Sequence, residues 1–132
     1  AFFLHPGDSQ HGASGALRKG DVLIALSKGG ETKEVNFLAS YAKDNGIAVI
    51  GICERAESTL GQLSTIVLEV IALEDSDPYG MIATGSSLFN SALGDAICMT
   101  VLCLRGYTEE AFSKTHPGGA VGIKIDKNKP KK

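Results

Sequence analysis

Residues suited to binding an anion are concentrated in one short stretch, Ser27–Thr32, which reads SKGGET. Glycines such as Gly29 and Gly30 let backbone N–H groups approach an anion closely, and the hydroxyls of Ser27 and Thr32 add donors. A helix that begins directly after the stretch would add unpaired N–H groups and a partial positive charge. The stretch therefore predicts a phosphate site. It matches neither G-x-G-x-x-G nor a Walker P-loop, which disfavours a nucleotide. The alternative is an ordinary glycine-rich turn with helix-capping hydroxyls.

A second cluster of hydroxyl groups opens the longest helical pattern of the chain. Its members are Thr84, Ser86 and Ser87. These hydroxyls could donate to the same anion as the first stretch. The alternative is a capped helix start with a polar face.

Candidate acids and bases lie next to these polar stretches and beside turns. Glu34 falls in the first turn of the predicted helix, within reach of a substrate bound at the loop, so it could act as a base. Alternatively, Glu34 and Glu31 only favour the helix N-terminus electrostatically. His5, His11 and His116 all neighbour turn residues. Histidine is the commonest general acid or base near neutral pH, although a loop histidine is often only solvated.

Four apolar runs rich in β-branched residues predict the strands that position these groups. They are apolar throughout rather than alternating, which is typical of strands buried on both faces. Helical spacing predicts the segments between and after them. An α/β fold with a parallel sheet flanked by helices follows, and ligands bind such sheets beyond the carboxyl ends of the strands. The predicted strands are 1–4, 22–26, 47–53 and 65–70, and the predicted helices are 32–45, 58–63, 81–104 and 109–114.

Composition limits the class of protein. The chain has 132 residues, which suits one domain, and a formal net charge of -2. Five of the 13 basic residues lie in the last nine positions, so the rest of the chain is acidic and a poor candidate for direct nucleic-acid binding. The uncharged run Ala96–Leu104 is too short to span a bilayer, so no membrane partner is expected. The helix 81–104 is apolar nearly all round, which favours burial against a sheet or a partner subunit.

The cysteines bear on location and on metal binding. Cys53, Cys98 and Cys103 form no C-x-x-C pair and are odd in number. This favours reduced thiols, packed as small hydrophobic residues, in a cytoplasmic protein. Their spacing suggests no zinc site, and no metal or cofactor is expected.

Four segments together resemble the sugar isomerase (SIS) domain family, and most of all its arabinose-5-phosphate isomerase branch. They are HPGDSQHG, DVLIALSKGGETKEV, TGSSLFNSALGDA and RGYTEEAFSKTHPGGAVG. The resemblance implies a flavodoxin-like or Rossmann-like three-layer αβα sandwich that binds a phosphorylated sugar, usually as a homodimer or homotetramer. It places the domain at residues 1–125, without the family's first strand and its Gly-Lys turn, followed by a lysine-rich tail at 126–132.

The resemblance also implies roles for individual residues. The family's phosphate loop, S-x-S-G-x-[ST], maps onto Ser27, Gly29, Gly30 and Thr32, with glycine replacing the second serine. The implied reaction is aldose–ketose isomerisation through a cis-enediol, with a base moving a proton between C1 and C2 and a histidine assisting ring opening. The matching catalytic residues are Glu34, His11 and His116, the last of which could reach a neighbouring subunit's site. Gly29, and Ala13 where an acid is common, favour the alternative of a sugar-phosphate sensor that does not catalyse.

Overall fold

The computed structural model describes residues 1–71 and 77–128. Within it the chain forms two compact units, Ala1–Asn90 and Ser91–Lys132, which we describe separately. The lysine-rich tail predicted at 126–132 begins inside a helix, and its residues 129–132 lie outside the described part.

The first unit contains a parallel three-stranded sheet. Its strands are β1 (Val22–Leu26), β2 (Ala48–Cys53) and β3 (Ile66–Glu69), and they lie side by side in that order. Val22 lies opposite Ala48, and Ile50 lies opposite Ile66. The predicted α/β class and parallel sheet are confirmed. Since all three strands run in one direction, their carboxyl ends lie at one edge of the sheet.

Two predictions about strands are wrong for the described chain. Residues 1–4 are not a strand, because β1 pairs only with β2 and no described strand lies beside residues 1–4 to bond them. An apolar groove of about 590 Å³ runs between these residues and β1. In addition, neither β3, in which no residue is fully buried, nor β1 is buried on both faces. Leu23 and Ala25 are buried, whereas the residues that alternate with them are exposed.

Helices cover one face of this sheet. Helix α1 (Lys33–Asp44) buries Leu38, Ala39 and Ala42, whose helical spacing puts them on one side, against β1 and β2. Helix α2 (Thr59–Leu63) packs against α1 and β2 and places Leu60 in the same core. A 3₁₀ helix, Pro6–His11, also packs against α1, and a second one covers Ala13–Ala16. The loops that follow β1 and β2 begin at the carboxyl edge of this sheet.

The long helix α3 (Gly85–Leu104) begins four residues later than its predicted start at residue 81. Its first residues belong to the first unit and the rest to the second. Only Ser86 in this helix is buried, so the described residues do not cover its apolar side chains, and of the two predicted partners the sheet is excluded within this part of the chain. Cys98 and Cys103 on α3 are exposed, contrary to the prediction that all cysteines are packed, whereas Cys53 is buried.

Among the described residues, α3 is the one helix that is long and apolar enough to cross a membrane by length and composition. The uncharged run 96–104 is only the C-terminal part of this helix, which continues through Asp95 back to Gly85. A carboxylate near the middle of a bilayer-spanning helix is energetically costly.

The second unit contains two further helices. Helix α4 (Glu109–Thr115) agrees with the predicted segment 109–114. Helix α5 (Gly119–Asn128) was not predicted, because its glycines and β-branched residues give a weak helical signal.

Candidate functional site

The loop Ser27–Thr32 lies directly after β1, at the carboxyl edge of the sheet, as predicted. Two hydrogen bonds attach it to the end of β2. The N–H of Ser27 donates to the Ile52 carbonyl at 3.0 Å, and the N–H of Glu54 donates to the Lys28 carbonyl at 2.9 Å. The start of the loop is therefore fixed to the sheet.

Gly30 fixes the middle of the loop against α2. Its φ is +74°, a conformation that favours glycine. Its carbonyl accepts hydrogen bonds from the Leu60 N–H and from Nδ2 of Asn36, both at 3.0 Å. A side chain here would overlap Ser58, which is buried and donates to the Arg55 carbonyl at 2.7 Å. Only glycine fits this position without a rearrangement.

These contacts decide which way the amides of the loop point. All the described peptide bonds are trans, and in a trans peptide the carbonyl and the next N–H point in opposite directions. The carbonyls of Lys28 and Gly30 point toward β2 and α2, so the N–H groups of Gly29 and Glu31 point away from them. Within residues 1–71 and 77–128 neither N–H has an acceptor. Both N–H groups are therefore backbone donors that an anion beside the loop could use.

The two hydroxyls of the loop add to this donor set. Ser27 Oγ and Thr32 Oγ1 lie 2.8 Å apart, and a hydrogen bond between them uses only one of their two hydrogens. Thr32 occupies the N-cap position of α1, but its side chain makes no cap hydrogen bond. The predicted alternative of helix-capping hydroxyls is therefore wrong for Thr32. The first-turn amides of α1 stay available to an anion.

The sequence suggested that Glu31 favours the N-terminus of α1 electrostatically. In the structure its side chain reaches across to α2. Its carboxylate accepts hydrogen bonds from the Thr59 N–H at 3.0 Å and from Thr59 Oγ1 at 2.7 Å. The backbone hydrogen bond and then the side-chain one, together with the nearby Arg55, outweigh desolvation and hold the pKa of Glu31 below its usual value. The link between Glu31 and α2 is therefore present at neutral pH.

The structure brings two predicted catalytic residues to neighbouring elements. Glu34 is exposed in the first turn of α1, one residue past the start of the helix. His11 is the exposed last residue of the 3₁₀ helix that packs against α1. His5 lies at the start of the same 3₁₀ helix, with Nδ1 4.0 Å from the Asp8 carboxylate.

The second hydroxyl cluster reaches the same edge of the sheet through one residue. Ser86 is buried and lines a small cavity together with Lys28 of the loop and with Glu54 after β2. Ser87 is exposed and donates to the carbonyl of Thr84 at 2.8 Å, so its hydroxyl serves the start of α3. Of the three predicted hydroxyls, Ser86 therefore lies beside the loop.

His116 belongs to the second unit. It is exposed at the end of α4, its ring stacks on Phe112 at 4.1 Å, and its Nδ1 lies 3.0 Å from Thr115 Oγ1. These contacts fix the orientation of the imidazole ring within that unit.

Sequence reasoning missed three residues that shape the loop: Asn36, Ser58 and Thr59. In the sequence, Asn36 is only a polar residue of the predicted helix. In the structure its Oδ1 is buried and has no hydrogen-bond partner among the described residues. Ser58 and Thr59 carried a recognisable signal, because Ser58 caps α2 by accepting from the Gly61 N–H at 3.2 Å. Nothing in the sequence indicated that this cap faces Gly30. Among the described residues, no group of histidine, cysteine and acidic side chains could hold a metal ion.

Fold and site together define an α/β domain in which the loop after β1 carries backbone amides and hydroxyls that are suited to donate to an anion. The chain belongs to the SIS domain family, whose model matches residues 1–99. It is 36 % identical over 125 residues to arabinose 5-phosphate isomerase KdsD of Yersinia pestis, covering 95 % of this chain and 38 % of that protein. It is 31 % identical over 128 residues to arabinose 5-phosphate isomerase GutQ of Salmonella typhi, covering 97 % and 40 %. The chain thus spans 38–40 % of the length of these relatives.

Solved structures agree with this assignment. A protein of Listeria monocytogenes superposes with a TM-score of 0.83 at 38 % identity, covering 89 % of this chain and 62 % of that one. The protein c3406 of Escherichia coli CFT073, solved in complex with arabinose 5-phosphate, gives 0.82 at 28 % identity, covering 88 % and 62 %. NanR of Vibrio vulnificus, solved with ManNAc-6P, gives 0.60 at 24 % identity, covering 91 % and 46 %, and this shows likeness of fold alone.

Proposed function

We propose that this chain binds a phosphorylated sugar at the loop Ser27–Thr32, and that the protein which contains it is an aldose–ketose isomerase. The observation that carries the proposal is the loop itself. Its Gly29 and Glu31 amides point away from β2 and α2 without acceptors in the described residues, and its hydroxyls and the start of α1 lie next to them in the chain. Phosphate fits such a set of donors, because it is an anion with several acceptor oxygens. An arabinose 5-phosphate-like sugar is the proposed substrate, since related proteins at 31–37 % identity carry that activity in their names.

The proposed chemistry assigns the base to Glu34. Its carboxylate takes the proton from C2 of the open-chain aldose, the electron pair forms a C1=C2 double bond, and O1 takes up a proton to give a cis-enediol. Loss of the O2 proton and return of a proton to C1 then give the ketose. Glu34 lies in the first turn of α1, directly after the loop proposed to hold the phosphate, so its carboxylate is near the proposed sugar.

The proposed roles of the histidines concern the ring form of the sugar. His11, on the 3₁₀ helix packed against α1, would move the proton between the ring oxygen and the anomeric hydroxyl as the ring opens. Imidazole suits this step because it both donates and accepts protons near neutral pH. His116 is proposed as a second acid or base.

The test of this function is turnover in heavy water. We expect purified protein to convert arabinose 5-phosphate into a ketose phosphate that carries deuterium at C1, because an exposed Glu34 exchanges its proton with solvent. Proton NMR follows both the conversion and the label. Binding of sugar phosphates without conversion of any of them would reject the isomerase.

A second candidate function is a sugar-phosphate sensor without catalysis. Two residues favour it: Gly29 replaces a serine of the family's loop, and Ala13 replaces a common acid. A sensor would bind arabinose 5-phosphate and give no ketose in the experiment above.

We also propose that the protein is a cytoplasmic homo-oligomer. Exposed apolar side chains on α3, including Leu88 and Leu104, support an interface between subunits, and the free thiols of the three cysteines support a reducing compartment. Sedimentation velocity and cell fractionation test these two points. A monomer at micromolar concentration, or a membrane-associated protein, would contradict them.

A further inference from the structure

The anion-facing loop contains an acidic residue whose presence there needs an explanation. A carboxylate near a bound phosphate repels it, so charge alone disfavours Glu31 in the loop. Yet the Glu31 side chain does not face the open side of the loop. It reaches to α2, where Thr59 donates to it through both N–H and Oγ1, at 3.0 and 2.7 Å.

Glu31 also supplies one of the two backbone N–H groups, those of Gly29 and Glu31, that point away from β2 and α2 toward the open side of the loop. The Glu31 N–H belongs to the peptide whose carbonyl, that of Gly30, is fixed by the Leu60 N–H and by Asn36 Nδ2. Glu31 is therefore held at two places, through the preceding peptide and through its own side chain. Rotation of this peptide would break the contacts to α2 and would turn the N–H away from the open side.

We propose that Glu31 is a positioning residue, which through Thr59 fixes the loop amides in the direction that a phosphate requires. This inference rests on the proposed sugar-phosphate binding and adds to it the residue that preorganises the site. Preorganised donors bind more tightly because less ordering is needed when the ligand arrives. Glu31 thus strengthens anion binding although it carries a negative charge.

The direction in which Glu31→Ala changes the affinity for an anion distinguishes a positioning role from a purely electrostatic one. If Glu31 acted only through its charge, Glu31→Ala would tighten the binding of an anion. If it positions the loop, the same substitution weakens binding, by roughly tenfold for the loss of hydrogen bonds to a charged group. Glu57→Ala is the matched control. It removes the same charge from the turn before α2, and Glu57 is exposed and outside the loop.

Calorimetry with inorganic phosphate and with arabinose 5-phosphate measures these affinities. We expect Glu31→Ala and Thr59→Val to weaken the binding of both ligands. Thr59→Ser, which keeps the hydroxyl, should bind them with the wild-type affinity. Glu57→Ala should bind them equally or more tightly. In turnover, KM should rise while kcat changes little. Binding to Glu31→Ala that equals or exceeds that of the wild type would overturn the proposal.

A measurement without ligand separates this proposal from the proposed function. If the wild-type protein binds neither phosphate nor the sugar phosphate, the proposed function fails. Hydrogen exchange at the Leu60 amide, which donates to Gly30 in the free protein, still decides the role of Glu31. Faster exchange in Glu31→Ala than in Glu57→Ala supports positioning, and equal exchange rejects it.

Discussion

Substituting Glu34 with glutamine is expected to lower the rate of isomerisation by roughly 10²- to 10⁴-fold, the range that one general base contributes. Glutamine keeps the size and hydrogen-bonding reach of the side chain but cannot take up the C2 proton. The loop proposed to hold the phosphate is formed by other residues, so the Kd for arabinose 5-phosphate should change little. Turnover and calorimetry on the same protein sample measure the two quantities.

The chain offers a matched control for this substitution. Glu109 is also an exposed glutamate in the first turn of a helix, at the start of α4. Glu109→Gln should leave both turnover and affinity unchanged. Equal activity of Glu34→Gln and the wild-type protein would remove Glu34 from the proposed mechanism, and a sensor would show no activity in any of these proteins.

Substituting Gly30 with alanine is expected to destabilise the protein and to abolish tight phosphate binding. Backbone strain alone should lower the free energy of unfolding by roughly 1–3 kcal/mol, because a residue with a Cβ is strained at positive φ. The new Cβ would also overlap Ser58, which cannot move away cheaply since it is buried and caps α2. Urea denaturation measures the loss in the free energy of unfolding, and calorimetry measures the loss in phosphate affinity.

Gly29→Ser is the control within the same loop. Gly29 does not have a positive φ, and a Cβ built there meets nothing within 4 Å. The serine should therefore be tolerated, and its hydroxyl should leave phosphate affinity equal or improve it. A Gly29→Ser protein as unstable as Gly30→Ala would show that the loop lacks the rigid arrangement described above.

The sequence by itself determined the elements and the chemical character of the site. Three of the four apolar β-branched runs correspond to β1, β2 and β3, because β-branched residues favour the extended backbone of a strand. Helical spacing predicted α1, and the glycines and hydroxyls between β1 and α1 predicted an anion site at the carboxyl edge. These features are local, since each depends on neighbouring residues and on one periodicity.

Only the tertiary structure decided how the loop is held. Gly30 must be glycine because Ser58, far from it in the chain, lies against it. Glu31 accepts hydrogen bonds from Thr59 because the start of α2 lies beside the loop. The failure of residues 1–4 to form a strand has the same origin, since a strand needs a neighbour that local sequence does not specify. Hydrogen bonds between segments far apart in the chain depend on packing, and a pattern within one segment does not contain that information.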